Sequence, residues 1–372
     1  MISVNEWKRD MLDINDPSLL TTSNYLIKDS SMENISMTLT EDQINTSTSL
    51  CDLRKAAECH KIVRRDIQSF IKPGVKFLDV CSRIESNIVK VLGRNDLKAG
   101  IAFPVGVSLN NIIAHDSCNS NDTRVIGPND ICKVDFGCHI NGMIIDSAFS
   151  VAFNPEFENL LHASREATMT GIKMARPDAY IYDISKAIKE VIESYEVTIN
   201  GKTHQIKPIS HLGGHSIEQY EIHGGDLILC APHESREYKQ ARIRVDQQYA
   251  IETFASTGTG TMQKSKSLPS NHYMLNKDNQ TPYHNKLQTI NNVYRWIKKN
   301  RSTLAFSPRW LENDQVKGVN LSLNELSRKC NPPIVIDYPP LEDIEGSYVS
   351  QYEHTIYVHE YGTEILSLGD DY

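Results

Sequence analysis

Apolar residues recur at helical spacing twice soon after position fifty. Over residues 50–71 the series Leu53, Ala56, Ala57, His60, Ile62, Val63, Ile67 and Ile71 predicts a helix, and Pro73-Gly74 ends it. A second helix is predicted over 77–93 from Leu78, Val80, Ile84, Ile88, Val89 and Leu92. From Ile101 to Phe153 the pattern changes to short strand-like runs with turn signals, and helices return near 157–175 and 180–195. The stretch 196–199 reads as a strand ending in the turn Asn200-Gly201, and 205–260 is again strand-rich. Residues 263–337 differ: they carry Lys, Asn and Gln and predict helices at 283–300 (Leu287, Ile290, Val293, Trp296, Ile297) and 321–329. Strands over 347–358 close the chain. Helices mixed with antiparallel hairpins define an α+β class. Ahead of all this, residues 1–48 are polar and rich in Ser, Thr and Asn, which predicts a flexible extension before one large domain, 49–372.

Five residues break the apolar pattern of those strands. They are Asp135 in Ile131-Cys-Lys-Val-Asp-Phe-Gly, Asp146 in Met143-Ile-Ile-Asp-Ser-Ala-Phe, His215 in Gly214-His-Ser-Ile, Glu252 in Tyr249-Ala-Ile-Glu-Thr-Phe, and Glu353 in Tyr352-Glu-His-Thr-Ile. A carboxylate among such neighbours persists only if it is paired, neutralised or bound to a cation. Four carboxylates and one imidazole, converging, suit two divalent metal ions. The 263–337 block falls between Glu252 and Glu353, so it reads as an insertion into the large domain.

The two aspartates can be brought together by local rules alone. They flank Asn141-Gly142, a strong two-residue hairpin signal. With that turn Ile140 faces Met143 and Asp135 faces Ala148, so Asp135 and Asp146 share one face as diagonal neighbours. His215 and His223 are eight apart, an even spacing that puts both on one face of an extended chain. His115 follows the apolar step Ile112-Ile113-Ala114. Oxygen-rich ligands with one imidazole favour Mn²⁺, Fe²⁺, Co²⁺ or Zn²⁺ over thiolate-seeking metals. Such ions activate water and polarise a carbonyl, which makes hydrolysis of an amide or ester the available chemistry. No G-x-S-x-G elbow, P-loop or dinucleotide fingerprint competes with it.

Composition narrows the setting. The 372 residues are 40% apolar and 23% charged, with 39 basic and 47 acidic side chains and a net charge of −8. Lacking a Lys/Arg-rich tract, the chain carries no nucleic-acid footprint and no electrostatic membrane anchor. Its eight cysteines include no C-x-x-C pair and are expected to be reduced thiols. No apolar signal core or membrane-length run is present, so a cytoplasmic chain is expected, and a monomer.

With these residues in hand the chain resembles the type 2 methionine aminopeptidases of the pita-bread fold. The motifs that carry the resemblance are Ala102-Phe103-Pro104, Ser108-Leu-Asn-Asn, Ala114-His115, Asp130 to Gly137, Ile144-Ile145-Asp146, Gly214 to Ile217 and Ile222-His223. They continue through Tyr249 to Gly258, His272-Tyr-Met, Asp337-Tyr-Pro-Pro-Leu, Glu353-His-Thr-Ile and Gly369-Asp-Asp-Tyr, in order over about 50–372. The resemblance implies that Asp135, Asp146, His215, Glu252 and Glu353 hold two metal ions (Mn, Co, Fe or Zn). It implies that His223 bonds the substrate carbonyl, that His115 contacts the scissile amide and assists proton transfer, and that Glu252 doubles as a base. A methionine pocket formed by Phe103, Ile222, Phe254, His272, Ala305 and Tyr338 is implied too, and the 263–337 block is similar to the helical insertion of type 2 members. The implied substrate is the N-terminal methionine of nascent chains, before a small second residue. Ribosome association is implied as well, although the extension lacks the Lys and acidic tracts of larger relatives.

Two departures stand near the site: Gly213 where animal members carry Asn, and Asp116 in place of a Tyr beside His115. Two rival readings share the fold. A non-catalytic pita-bread protein that binds RNA or protein would lack the metal set, which this chain retains whole. A proline-directed peptidase would share the ligands but not Ala-His-Asp together with the 263–337 insertion.

Overall fold

In a computed structural model of the protein, residues 25–27, 48–279 and 283–372 are described. Apart from Tyr25–Ile27 and Thr48, the expected flexible extension 1–48 lies outside the described residues. Tyr25–Ile27 itself forms an antiparallel strand against Gly362–Ile365.

The elements that position the site are, in order, α1 (Thr48–Phe70), α2 (Phe77–Leu92), β1 (Gly106–Leu109), β2 (Ile131–Ile140), β3 (Met143–Ala152), α3 (Glu158–Met174) and α4 (Ile181–Glu193). They continue with β4 (Gly213–Ile217), β5 (Leu227–Leu229), β6 (Gln247–Ser256), α5 (Gln288–Asn300), β7 (Val349–His359) and β8 (Gly362–Ile365). One antiparallel sheet runs Tyr25–Ile27, β8, β7, β6, β4, β5; a second holds Ala99–Ile101, β2 and β1, with β3 beside β2. The helix-periodic residues explain the packing. Leu53, Ala56, Val63, Ile67, Val80, Ile84 and Ile88 of α1 and α2 are buried in one core with Val134, Phe136 and Cys138 of β2. Those of α3 and α4 form a second core with Tyr249, Ile251 and Phe254 of β6. The helix α2 stops at Gly93, which takes a left-handed φ of 70°.

Hydroxyl groups join the two sheets between β3 and β7. Ser147 Oγ donates to the Glu353 carbonyl at 2.7 Å, Ser150 Oγ to the Gln351 carbonyl at 2.8 Å, and Thr355 Oγ1 to the Asp146 carbonyl at 2.6 Å. Buried backbone groups at this seam are therefore satisfied by side chains where no strand ladder reaches them.

The 263–337 block has its own apolar cluster, built on Ile290, Val293, Ile297, Phe306, Leu323 and Val335. It leaves and returns through two paired strands, Tyr273–Leu275 against Val335–Asp337. Its first helix starts at Gln288 rather than 283, because Leu287 is extended (ψ 116°). Its last is a short α-helix, Val319–Asn324, continued as a π-helix, Glu325–Lys329. Among the described residues no helix is long and apolar enough to cross a membrane.

Candidate metal centre and substrate pocket

The hairpin forms as local chemistry dictates. Asn141 and Gly142 take φ of 49° and 80°, the positive angles a two-residue turn demands. Ile140 then pairs Met143, Asp135 pairs Ala148 and Gly137 pairs Asp146. A side chain at Gly137 would put its Cβ 2.2 Å from Phe103 Cε1 and 2.7 Å from the Ile145 carbonyl oxygen. Glycine there lets the Phe103 ring lie against the aspartate hairpin.

The other three residues arrive on the large sheet. Glu252 of β6 lies directly opposite Glu353 of β7, and His215 of β4 opposite Ala250 of β6. A Cβ at Gly214 would come 2.1 Å from the Ala250 carbonyl oxygen, so glycine permits the close strand approach that delivers His215. Ligand atoms of Asp146, His215 and Glu353 all lie within 4.8 Å of one another, and so do those of Asp135, Glu252 and Glu353. Glu353 belongs to both groups. His215 Nε2 is 3.6 Å from Asp146 Oδ2.

The electrostatics are extreme for a dry site. Burial raises Asp135 to about 6, and burial together with neighbouring carboxylates holds Asp146, Glu252 and Glu353 well above the ordinary range. Burial lowers His215 to about 4, which leaves it neutral and able to ligate. Gln351 supplies one amide for two acids: its Nε2 donates to Asp135 Oδ2 at 3.1 Å and to Glu252 Oε1 at 2.7 Å. Asp135 Oδ1 and Glu353 Oε2 are buried with no hydrogen-bond partner. Two orphaned carboxylate oxygens within a ring of four acids and one neutral imidazole fit divalent cations, because an unpaired buried carboxylate oxygen is costly otherwise.

Beside this ring a cavity of about 180 Å³ is lined by Phe103, Ile222, Phe254, Met274, Ala305 and Tyr338, together with His115, His223, His272 and Gly213. Every pocket residue expected from the sequence is on its wall. Met274 joins them, and the signal for it was its place two residues after His272 in a strand. Gln351 was missed in the same way, two residues before Glu353 and so on the same strand face.

His215 and His223 do meet, with ring centroids 4.5 Å apart in a T-shaped contact. The expected route, eight residues of extended chain, is wrong. Strand β4 ends at Ile217, and a turn closed by Glu218 and Glu221 reverses the chain before His223. His115 takes a left-handed φ of 65°, and its Nδ1 is buried without a partner. Burial and neighbouring His223 lower His115 to about 4; burial and His215 lower His223 to about 3. Both rings are neutral near pH 7. Of the two departures, Gly213 lines the cavity, and a Cβ there would lie 2.4 Å from the Ile228 carbonyl oxygen. Asp116 turns away to pair with Arg124, whose Nη2 donates to Asp116 Oδ1 at 2.9 Å.

Fold and site together define a metallopeptidase centre, and comparison with known proteins agrees. Residues 52–274 match metallopeptidase family M24, and the chain belongs to that family. It is 45% identical over 321 residues to methionine aminopeptidase 2A of Arabidopsis thaliana, covering 86% of this chain and 70% of the relative. Methionine aminopeptidase 2 of Encephalitozoon hellem is 43% identical over 337 residues, 88% of this chain and 90% of the relative. Within the family, the chain thus stands among the type 2 methionine aminopeptidases. The solved structure of a thermophilic Arx1 shares the fold at 18% identity, with a TM-score of 0.74 over 88% of this chain and 92% of that one.

Proposed function

We propose that this metal-dependent aminopeptidase removes the N-terminal methionine of newly made cytosolic chains, using two divalent ions (Mn, Co, Fe or Zn) and favouring a small second residue. The observation that carries the reading is one buried glutamate, Glu353, shared by two three-residue ligand groups beside an apolar cavity. One group is Asp146, His215 and Glu353; the other is Asp135, Glu252 and Glu353. Ions bound there would supply Lewis acidity and lower the pKa of a water.

The chain's own residues do the rest. Phe103, Ile222, Phe254, Met274, Ala305 and Tyr338 exclude water and pack an unbranched thioether. Neutral His223 orients the substrate carbonyl by hydrogen bonding. Neutral His115, with Nδ1 free of protein partners, contacts the scissile amide and exchanges a proton with the departing nitrogen. Glu252, one of the acids of the ring beside the cavity, takes a proton from the attacking water.

The test is product release from Met-Ala-Ser, Met-Lys and Ala-Pro peptides by metal-reconstituted protein. Methionine released from Met-Ala-Ser alone is expected. Cleavage of the Ala-Pro peptide instead would replace this reading with a proline-directed one. A folded, metal-loaded protein that cleaves none of them would mark a binding protein.

A further inference from the structure

Outside the site, two thiols face each other. Cys81 on α2 and Cys118, three residues beyond His115, are both fully buried, with their sulfurs 3.0 Å apart. Cys81 Sγ also lies 3.8 Å from the Val105 carbonyl oxygen. The third member of the cluster is Arg309. Its Nη2 donates to Glu85 Oε1 at 2.6 Å, while its Nε is buried with no partner. The contact with Cys81 and burial push the Cys118 thiol well up, which the nearby Arg309 charge offsets only slightly. A cavity of about 480 Å³ lies close by, lined by Asn119, Ser120, Asn121 and Arg309, although neither sulfur is on its wall.

We propose that Cys81 and Cys118 are a redox pair, closed to a disulfide by hydrogen peroxide and reopened by thiols, whose closure slows turnover by moving the segment that carries His115. One sulfur attacks peroxide, giving a sulfenic acid and a water; the second thiol then displaces hydroxide from that sulfur, giving the disulfide and a second water. Two thiols and one peroxide become one disulfide and two waters. Two external thiols reverse the bond by exchange. Closure draws the sulfurs together by about 1 Å from their 3.0 Å separation. The pull is passed on, because the segment is tied at several points. The Val107 N–H donates to the Asp116 carbonyl at 2.7 Å, and Asn271 Nδ2 donates to the Ser117 carbonyl at 2.8 Å, one residue from His272. Asp135, Asp146, His215, Glu252 and Glu353 sit on other strands, β2, β3, β4, β6 and β7, so closure leaves the residues that would hold metal in place. The functional half of this proposal rests on the aminopeptidase reading; the bond itself does not.

The experiment treats the full-length, metal-loaded chain with hydrogen peroxide, blocks free thiols and maps peptides by mass. The expected result is a linked pair containing Cys81 and Cys118, lighter by two hydrogens and separated again by dithiothreitol. Methionine release from Met-Ala-Ser falls severalfold with the link and recovers on reduction, with metal content unchanged. Cys118→Ala and Cys81→Ala keep basal release and lose the reversible part of the peroxide effect; Cys118→Ser serves if the alanine variant fails to fold. Both thiols remaining free at a peroxide dose that oxidises the partly exposed Cys51 would overturn the pair. A link that forms while release is unchanged would overturn the switch. The mass reading decides the bond even in a chain that releases no methionine.

Discussion

Glu252 and Glu353 face each other across two adjacent strands, both buried, where like charges should repel. Gln351 relieves only part of this, since its single amide is divided between Asp135 and Glu252. The rest calls for cations. Replacing Gln351 with Leu should therefore weaken metal binding about 10- to 100-fold, as loss of a partner that orients ligands does; titration calorimetry on chelator-stripped protein reads it. Unaltered affinity would show that the amide does not orient the ligands. A second prediction concerns His60, which is fully buried, stacked on Phe136 at 4.0 Å, and lowered by burial to about 3. The unfolded chain binds a proton at this histidine below about 6.5 while the folded chain does not, so its stability contribution is lost as pH falls. The stability of the native chain relative to His60→Gln should shrink by about 1.4 kcal/mol per pH unit below about 6.5, measured by urea unfolding at a series of pH values. A pH-independent difference would contradict the neutral, buried ring.

Elements show where sequence reading succeeds and where it stops. The hairpin of β2 and β3 was legible down to its register, because Asn141-Gly142 and the two-residue period leave one pairing that buries the apolar face. The opposition of Glu252 and Glu353 had no such local signal. The two strands are separated in sequence by residues 263–337, and their register is set by long-range packing of β6 on β7. His223 was placed beside His215 on the wrong ground, since an even spacing has meaning only while the chain stays extended. The hairpin also carries a testable constraint. Gly137→Ala would push a methyl into Phe103 and the Ile145 carbonyl, an overpacking that costs about 1–3 kcal/mol. Because the ring it displaces lines the cavity, KM for a methionine peptide should rise more than kcat falls. An unchanged KM would separate Phe103 from the pocket.

At the scale of the molecule, the first helix and the last strands are tied by buried charge. Arg54 Nε and Nη2 donate to Glu364 Oε1 and Oε2, each at 2.9 Å, and His359 Nε2 lies 2.8 Å from Glu364 Oε2. Arg64 donates to Asp371 at 2.6 Å through both Nε and Nη2, which pins the final residues against α1. Removing one partner strands the other, so Glu364→Leu should destabilise the chain by about 3–5 kcal/mol, and pairing it with Arg54→Met should recover much of that loss. The 263–337 block acts at this scale too: it brings His272, Met274, Ala305 and the adjoining Tyr338 onto the wall of the cavity that Phe103 and Ile222 also line. In the proposed centre, five side chains from the two sheets hold two ions in ligand groups that share Glu353. Anomalous diffraction from crystals of the manganese-loaded protein tests it most directly. Two peaks are expected, one among Asp146, His215 and Glu353 and the other among Asp135, Glu252 and Glu353. Peaks elsewhere, or no peak at this ring in a fully loaded crystal, would contradict it.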